Sequence, residues 1–340
     1  MIASLRRLMP DRFIMVLIAT LAVATVTPAT GTVLEGIGWA SSAAIFTLFF
    51  LHGARLSPAA VAAGAKHWRL QLAILGFGYG AFPLAMAVAR AGLGGWLAPE
   101  MLIGLVFLGV LPTTVQSSIA YASIARGNVA ASVIASAASN LLGVVLTPLL
   151  FALIAGGAVG GVSLAAVGKV ALLLLLPFAL GQAVRGRVLP VVARHAKAAG
   201  MLDKLTIILA VYVAFAHAAR DGLWARIGAE VLGGLALVVA IVLGAAFAGA
   251  WALGAMLKLN PEDRATLLFA SSHKSLATGA PMAAILLPPA VAGAAILPLL
   301  LYHQLQLMLS AWIATWLAGQ AAQTTIEQDG EHKIRRDGPP

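Results

Sequence analysis

Leu111-Pro112-Thr113-Thr114-Val115-Gln116-Ser117-Ser118 and, much later in the chain, Ser271-Ser272-His273-Lys274-Ser275-Leu276-Ala277-Thr278-Gly279-Ala280-Pro281 are polar, proline-bearing interruptions inside long apolar runs. Proline removes a backbone donor and clashes with the preceding turn. In hydrocarbon each unpaired backbone N–H or C=O costs several kcal/mol. Such an interruption persists only where protein, water or a bound solute satisfies the freed groups. The half-helix ends it exposes carry partial charges, positive at N-termini and negative at C-termini.

The surrounding sequence says that lipid is the solvent. The chain has 340 residues, of which 61% are hydrophobic and 10% charged, against about 25% charged in an average soluble domain. Since about 20 apolar residues cross the hydrocarbon, the apolar runs give ten expected spans: 12–28, 33–53, 68–90, 97–122, 128–154, 163–184, 204–219, 228–256, 264–288 and 290–318. Residues 12–28 follow Arg6, Arg7 and Arg12 and resemble a secretory leader; they are expected to be a retained first span. Residues 319–340 read as a polar tail ending in Pro-Pro. There is no cysteine, which excludes disulfides, thiolate zinc sites and catalytic thiols.

The net charge of +10 would suit nucleic acid, but its distribution points to topology. With the N-terminus in the cytoplasm, 17 of the 22 lysines and arginines fall on the cytoplasmic side, which follows the positive-inside rule. The outer side holds Arg90, Arg220 and Arg226, and Lys169 and Lys274 lie inside spans. An even number of spans, both termini in the cytoplasm and no nucleic-acid partner are expected. The chain is thus expected to be an all-α membrane protein of ten transmembrane helices.

The spans divide into two sets of five, residues 1–154 and 163–318, followed by the tail at 319–340. Five is odd, so consecutive repeats have opposite orientations. Transporters built from inverted repeats place their substrate sites at interrupted helices near the midplane. The two interruptions fall in the fourth span of each half, which nominates Thr113, Thr114, Gln116, Ser117 and Ser118 with Ser272, His273, Lys274, Ser275 and Thr278 as site residues. In span 5, Ser132, Ser136 and Asn140 recur at i, i+4 and i+8, on one helix face. All 12 acidic residues lie at span ends, in loops or in the tail, so Lys274 stands in the membrane without a carboxylate partner. A charge at that depth marks a functional site, and Lys274 is expected to act as a fixed or titrating cation there. No Walker loop, dinucleotide fingerprint, serine elbow or histidine metal spacing is present, so the chain is not expected to be an enzyme.

Phe49-Phe50-Leu51-His52-Gly53-Ala54-Arg55-Leu56, the Leu111–Ser118 interruption, Ser123-Ile124-Ala125-Arg126-Gly127-Asn128, Ser139-Asn140-Leu141-Leu142-Gly143-Val144-Val145-Leu146-Thr147-Pro148 and Ser272-His273-Lys274-Ser275-Leu276-Ala277-Thr278-Gly279 together resemble the bile acid:sodium symporter family, in its divergent branch of bacterial and eukaryotic carriers. The resemblance runs from about residue 10 to 318. It implies that spans 4 and 9 are unwound and cross. Spans 3–5 and 8–10 would form a core domain and spans 1, 2, 6 and 7 a panel, with substrate between the two. It also implies a sodium ion near Ser117, Ser118, Ser132 and Ser136. The glutamate and glutamine that supply further sodium ligands on span 9 of the family have no counterpart here, where Phe269-Ala270-Ser271-Ser272-His273-Lys274 occupies that run.

The expected function is secondary active transport of a small organic anion across a bacterial inner membrane by alternating access, with no cofactor other than such a sodium ion. The alternatives are a monovalent cation/proton exchanger, which the missing mid-membrane carboxylate disfavours, and a regulatory membrane protein that carries no solute.

Overall fold

The computed structural model describes residues 12–55, 67–155, 164–222, 225 and 227–337. Arg6, Arg7, Lys66 and Arg226, which enter the charge count, lie outside the described residues. Helix is the only regular secondary structure among the described residues, apart from one isolated bridge between Gly94 and Leu97. In chain order the helices are α1 (Arg12–Val26), α2 (Gly31–Arg55), α3 (Trp68–Gly76), α4 (Phe82–Gly92), α5 (Pro99–Val110), α6 (Gln116–Ile124), α7 (Val129–Ala155), α8 (Leu164–Ala183), α9 (Arg185–Arg194), α10 (Ala196–Arg220), α11 (Ala229–Met256), α12 (Pro261–Ser272), α13 (Leu276–Leu286) and α14 (Pro289–Asp337).

Among the described residues, six helices are long and apolar enough by themselves to cross a membrane: α2, the α3–α4 run, α7, α10, α11 and the Pro289–Gln320 part of α14. A seventh is α8 taken with α9, which turns away from it by 92°. α1 and α5 are shorter apolar helices. The expected spans 4 and 9 are each two helices, α5 with α6 and α12 with α13, separated at residues 111–115 and 273–275.

Several boundaries differ from the sequence expectation. The seventh span, expected at 204–219, begins at Ala196, because Lys197, Asp203 and Lys204 lower the hydropathy without breaking the helix. The run expected as a polar tail continues α14 as helix through Asp337; its Glu, Gln, Lys and Arg residues are good helix formers. The second interruption is shorter than its polar run, since Pro281 lies inside α13. α9 has no counterpart among the expected elements: it is a separate helix with Arg185, Arg187 and Arg194 and no buried residue.

α3 and α4 form one rod through a π-helical turn, Phe77–Ala81, in which Phe82 N–H reaches back to the Phe77 carbonyl. Such a turn inserts a residue and shifts a carbonyl off the helix axis; π-bulges of this kind recur at functional sites. Within this turn the carbonyl of Gly78 accepts from Lys274 Nζ at 2.9 Å.

Packing divides into two neighbourhoods. α2 packs on α8 and α10, and α10 also on α1. α5 packs on α4, α7 and α14, and α12 packs on α6, α7 and α11. α10 joins the neighbourhoods through contacts with α13 and α14. Small residues set the closest approaches, as expected where lipid removes most of the hydrophobic drive between helices. A Cβ on Gly53 would strike the Phe178 carbonyl, and one on Gly181 the Phe50 carbonyl, so α2 and α8 meet backbone to backbone.

Substituting Gly181 with leucine should force α2 and α8 apart and cost about 1–3 kcal/mol or more by overpacking. Thermal unfolding in detergent measures this. Gly186→Ala, whose added Cβ meets nothing within 4 Å, should leave the midpoint unchanged or slightly raised.

Candidate functional site

The site is built where the two interruptions meet. Leu111 precedes Pro112 and is extended, with φ −72° and ψ 151°, as a residue before proline prefers. His273 and Ser275 are extended too, with ψ 144° and 112°. No proline enforces this second break. Instead the amide of Gln306 clamps the Lys274 peptide: Oε1 accepts from Lys274 N–H at 2.9 Å and Nε2 donates to the Lys274 carbonyl at 3.0 Å. Ser275 then caps α13 by accepting from Thr278 N–H at 3.2 Å. The extended segments bond directly, Ser275 N–H donating to the Pro112 carbonyl at 2.9 Å.

Every carbonyl from Gly109 to Val115 finds a donor. Those of Gly109 and Leu111 accept from Lys274 Nζ at 2.8 and 2.9 Å. Thr147 Oγ1 serves Val110 at 2.8 Å, Ser275 serves Pro112, and Asn140 Nδ2 serves Thr113 at 2.9 Å. Ser118 Oγ donates to the Thr114 carbonyl, and Ile119 N–H to that of Val115 at 3.3 Å. On the other break, Tyr302 OH donates to the Ser272 carbonyl at 2.7 Å. The cost of two unwound helices is therefore met almost wholly by side chains of α7, α14 and the breaks themselves.

Asn140 and His273 join the interruptions. While Asn140 Nδ2 holds Thr113, its Oδ1 accepts from Thr278 Oγ1 at 3.1 Å. His273 Nδ1 lies 3.2 Å from both Thr114 Oγ1 and Ser117 Oγ, and its Nε2 lies 2.7 Å from Ser310 Oγ. The imidazole is buried among Tyr121, Phe247 and Phe269.

Of the residues nominated from sequence, Thr113, Thr114, Ser117, Ser118, Ser136, Asn140, His273, Ser275 and Thr278 share one connected polar network, while Lys274 bonds separately to the Gly78, Gly109 and Leu111 carbonyls and to Gln306. Ser118 and Ser136 hydroxyls are 2.9 Å apart, whereas Ser117 turns away from them toward His273. Ser132 Oγ and Thr113 Oγ1 are buried with no hydrogen-bond partner. Ser272 Oγ faces α11, donating to the Ala246 carbonyl at 3.2 Å. Gln116 is exposed at the start of α6, and no side chain caps that helix.

Sequence reasoning does not nominate Gly78, Tyr79, Ser139 or Ser310, and of Tyr302, His303, Gln304 and Gln306 it expects only that some contact the ninth span. Tyr79 OH donates to the Ser139 carbonyl at 2.6 Å, and Ser139 Oγ accepts from Thr113 N–H at 3.1 Å. A signal for the α14 set is present: Tyr302, Gln306 and Ser310 recur at i, i+4 and i+8, the spacing that singles out Ser132, Ser136 and Asn140. Among the residues whose burial is described, Lys274 is the one buried lysine or arginine, and no aspartate or glutamate is buried.

Comparison with known proteins places the chain in a family. The family model for the SBF-like CPA transporter family matches residues 11–319. The curated protein "Uncharacterized protein PA2026" of Pseudomonas aeruginosa is 42% identical over 310 residues, covering 91% of this chain and 93% of its own. "Putative symporter YfeH" of Escherichia coli is 39% identical over 324 residues, covering 94% and 96%. Sodium/bile acid cotransporter 7 of Mus musculus is 25% identical over 292 residues, covering 82% and 84%. The chain belongs to the SBF-like CPA transporter family. It is thus a multi-pass membrane protein of a family of transporters, not enzymes.

Asn140→Ala strips a donor from Thr113 and an acceptor from Thr278. Each unpaired buried group costs about 1–3 kcal/mol, so chemical or thermal unfolding in detergent should report a loss of about 2 kcal/mol or more. Gln116→Ala should stay within about 0.5 kcal/mol, as surface changes usually do.

Proposed function

We propose that this protein is a secondary active transporter that moves a small organic anion across the bacterial inner membrane by alternating access. In this reading the chain has ten spans in two inverted five-helix repeats, 1–154 and 163–318, with both termini in the cytoplasm. α5 with α6 is the fourth span and α12 with α13 the ninth. α1, α2, α8 and α10 form the panel, and the remaining spans form the core against which it moves.

The observation that carries the reading is the sign of the buried charge. The negative ends of α5 and α12 are covered, the first by Lys274 and Thr147 and the second by Tyr302. The start of α6 has no side-chain cap, and an open helix N-terminus attracts anions. With Lys274 buried and no buried carboxylate among the residues whose burial is described, the centre is net positive. A carboxylate-bearing solute suits it; a lone metal cation does not. Exchange of cations for protons requires an anionic carrier group that the centre lacks.

Ser118, Ser132 and Ser136 offer neutral oxygens to a sodium ion as co-substrate, and the bound anion supplies the charge that these hydroxyls do not. The exposed Gln116 and the hydroxyls of Thr113, Thr114 and Ser117 are the solute contacts in this reading, with His273, Ser275, Thr278 and Lys274 holding their geometry.

The test is uptake by purified protein in liposomes, with a panel of radiolabelled organic anions and imposed sodium or proton gradients. Saturable anion uptake is expected, reduced about tenfold in Gln116→Ala or Ser117→Ala, the equivalent of one lost interaction of about 1.4 kcal/mol. Sodium coupling predicts that Ser132→Ala and Ser136→Ala lower the sodium dependence first. Cation/proton exchange with no organic anion moved would overturn the proposal.

A further inference from the structure

Lys274 occupies a cage whose geometry is that of an ion site. Three carbonyl oxygens converge on Nζ: Gly78 at 2.9 Å, Gly109 at 2.8 Å and Leu111 at 2.9 Å. The face of the Phe82 ring closes a fourth side, 4.3 Å from Nζ to the centroid. The oxygens come from two separate elements, the π-helical turn of the α3–α4 rod and the end of α5. Three partially negative oxygens repel one another unless a cation lies between them. A compact ammonium with three donors fits three carbonyls; the planar fork of arginine does not.

We infer that the Gly78–Gly109–Leu111 cage is a monovalent-cation site filled by the chain's own side chain, and that removing the Lys274 side chain uncovers a binding site for a small primary ammonium ion. The ammonium of Lys274 is the tie between the α3–α4 rod and the interrupted fourth span. The π-helical turn delivers the Gly78 carbonyl to it. The aromatic face adds the cation–π attraction expected of a desolvated ammonium. The inference concerns the folded protein itself and does not depend on which solute is carried.

The test is chemical rescue. Lys274→Ala keeps Cβ and lacks three carbons and the nitrogen, the atoms of n-propylammonium; ethylammonium is one methylene smaller. Thermal unfolding of Lys274→Ala in detergent is followed as ethylammonium or n-propylammonium chloride is titrated. At about ten times the half-saturating concentration, mass action should raise the midpoint by about 2–4 °C. The wild type, Lys274→Met with its stem filled and no donors, and Lys274→Ala in tetramethylammonium chloride, which has no N–H, should not move. Equal shifts in all samples, or no shift in Lys274→Ala, would overturn the inference.

Should Lys274→Ala fail to accumulate, two measurements decide. Expression with n-propylamine in the medium should restore folded protein to the membrane, and failure to do so counts against the cage. In the wild type, a small membrane-permeant amine reagent followed by mass spectrometry should modify the exposed Lys258 and leave Lys274 unmodified until the protein is unfolded. Rapid labelling of Lys274 in folded protein would show that the amine is not enclosed.

Discussion

A polypeptide that stops being helical in the middle of a membrane must find a partner for every backbone group it releases, and this requirement organises the rest of the molecule. Pro112 releases the end of α5, and the Gln306 clamp holds open the gap between α12 and α13. The bond from Ser275 N–H to the Pro112 carbonyl makes each gap part of the solution for the other. Around that bond lie Lys274, Asn140, Thr147, Ser118, Tyr302 and Gln306, each directed at a particular carbonyl or N–H. Their positions explain why α7 and α14 carry polar stripes at helical spacing inside apolar sequence.

Much of this is legible in the sequence. The two interruptions are read directly from Pro112 and from the run of hydroxyls, histidine and lysine at 271–278, because polar groups inside a lipid-embedded span persist only where something pairs with them. Their meeting is what the family resemblance implies. What the sequence hides is the direction of side chains. Lys274 is expected to be a fixed or titrating cation at the site, and its three donors point to carbonyls, one of them on a π-helical turn that Phe77-Gly78-Tyr79-Gly80-Ala81 does not announce. Ser310 escapes; Tyr302, His303, Gln304 and Gln306 read as a run of which some contact the ninth span, but the run has no single face, so which of them do so is legible only in the structure, where Tyr302 and Gln306 reach Ser272 and Lys274. α9 escapes because a short helix with arginines and valines carries no span-length signal; its bend from α8 is a matter of packing and not of hydropathy.

The family and the buried positive charge meet at a point of chemistry. A centre without carboxylates and with a covalently tethered ammonium attracts anions before any other ion arrives. In the proposed transport reading, any cation that travels with the solute would be recruited by the solute's own charge, and the hydroxyls of Ser118, Ser132 and Ser136 would only orient it.

The bridging by Asn140 and by the Pro112–Ser275 bond has a mechanical consequence. The two interrupted spans are riveted to each other, so neither can swing aside as a gate without tearing several bonds in a low-dielectric interior. Whatever displacement admits and releases cargo must fall on other seams, those held by contacts between apolar surfaces alone. In the proposed transport cycle the polar knot would ride as one rigid piece, like a cam whose shape is fixed while its housing slides.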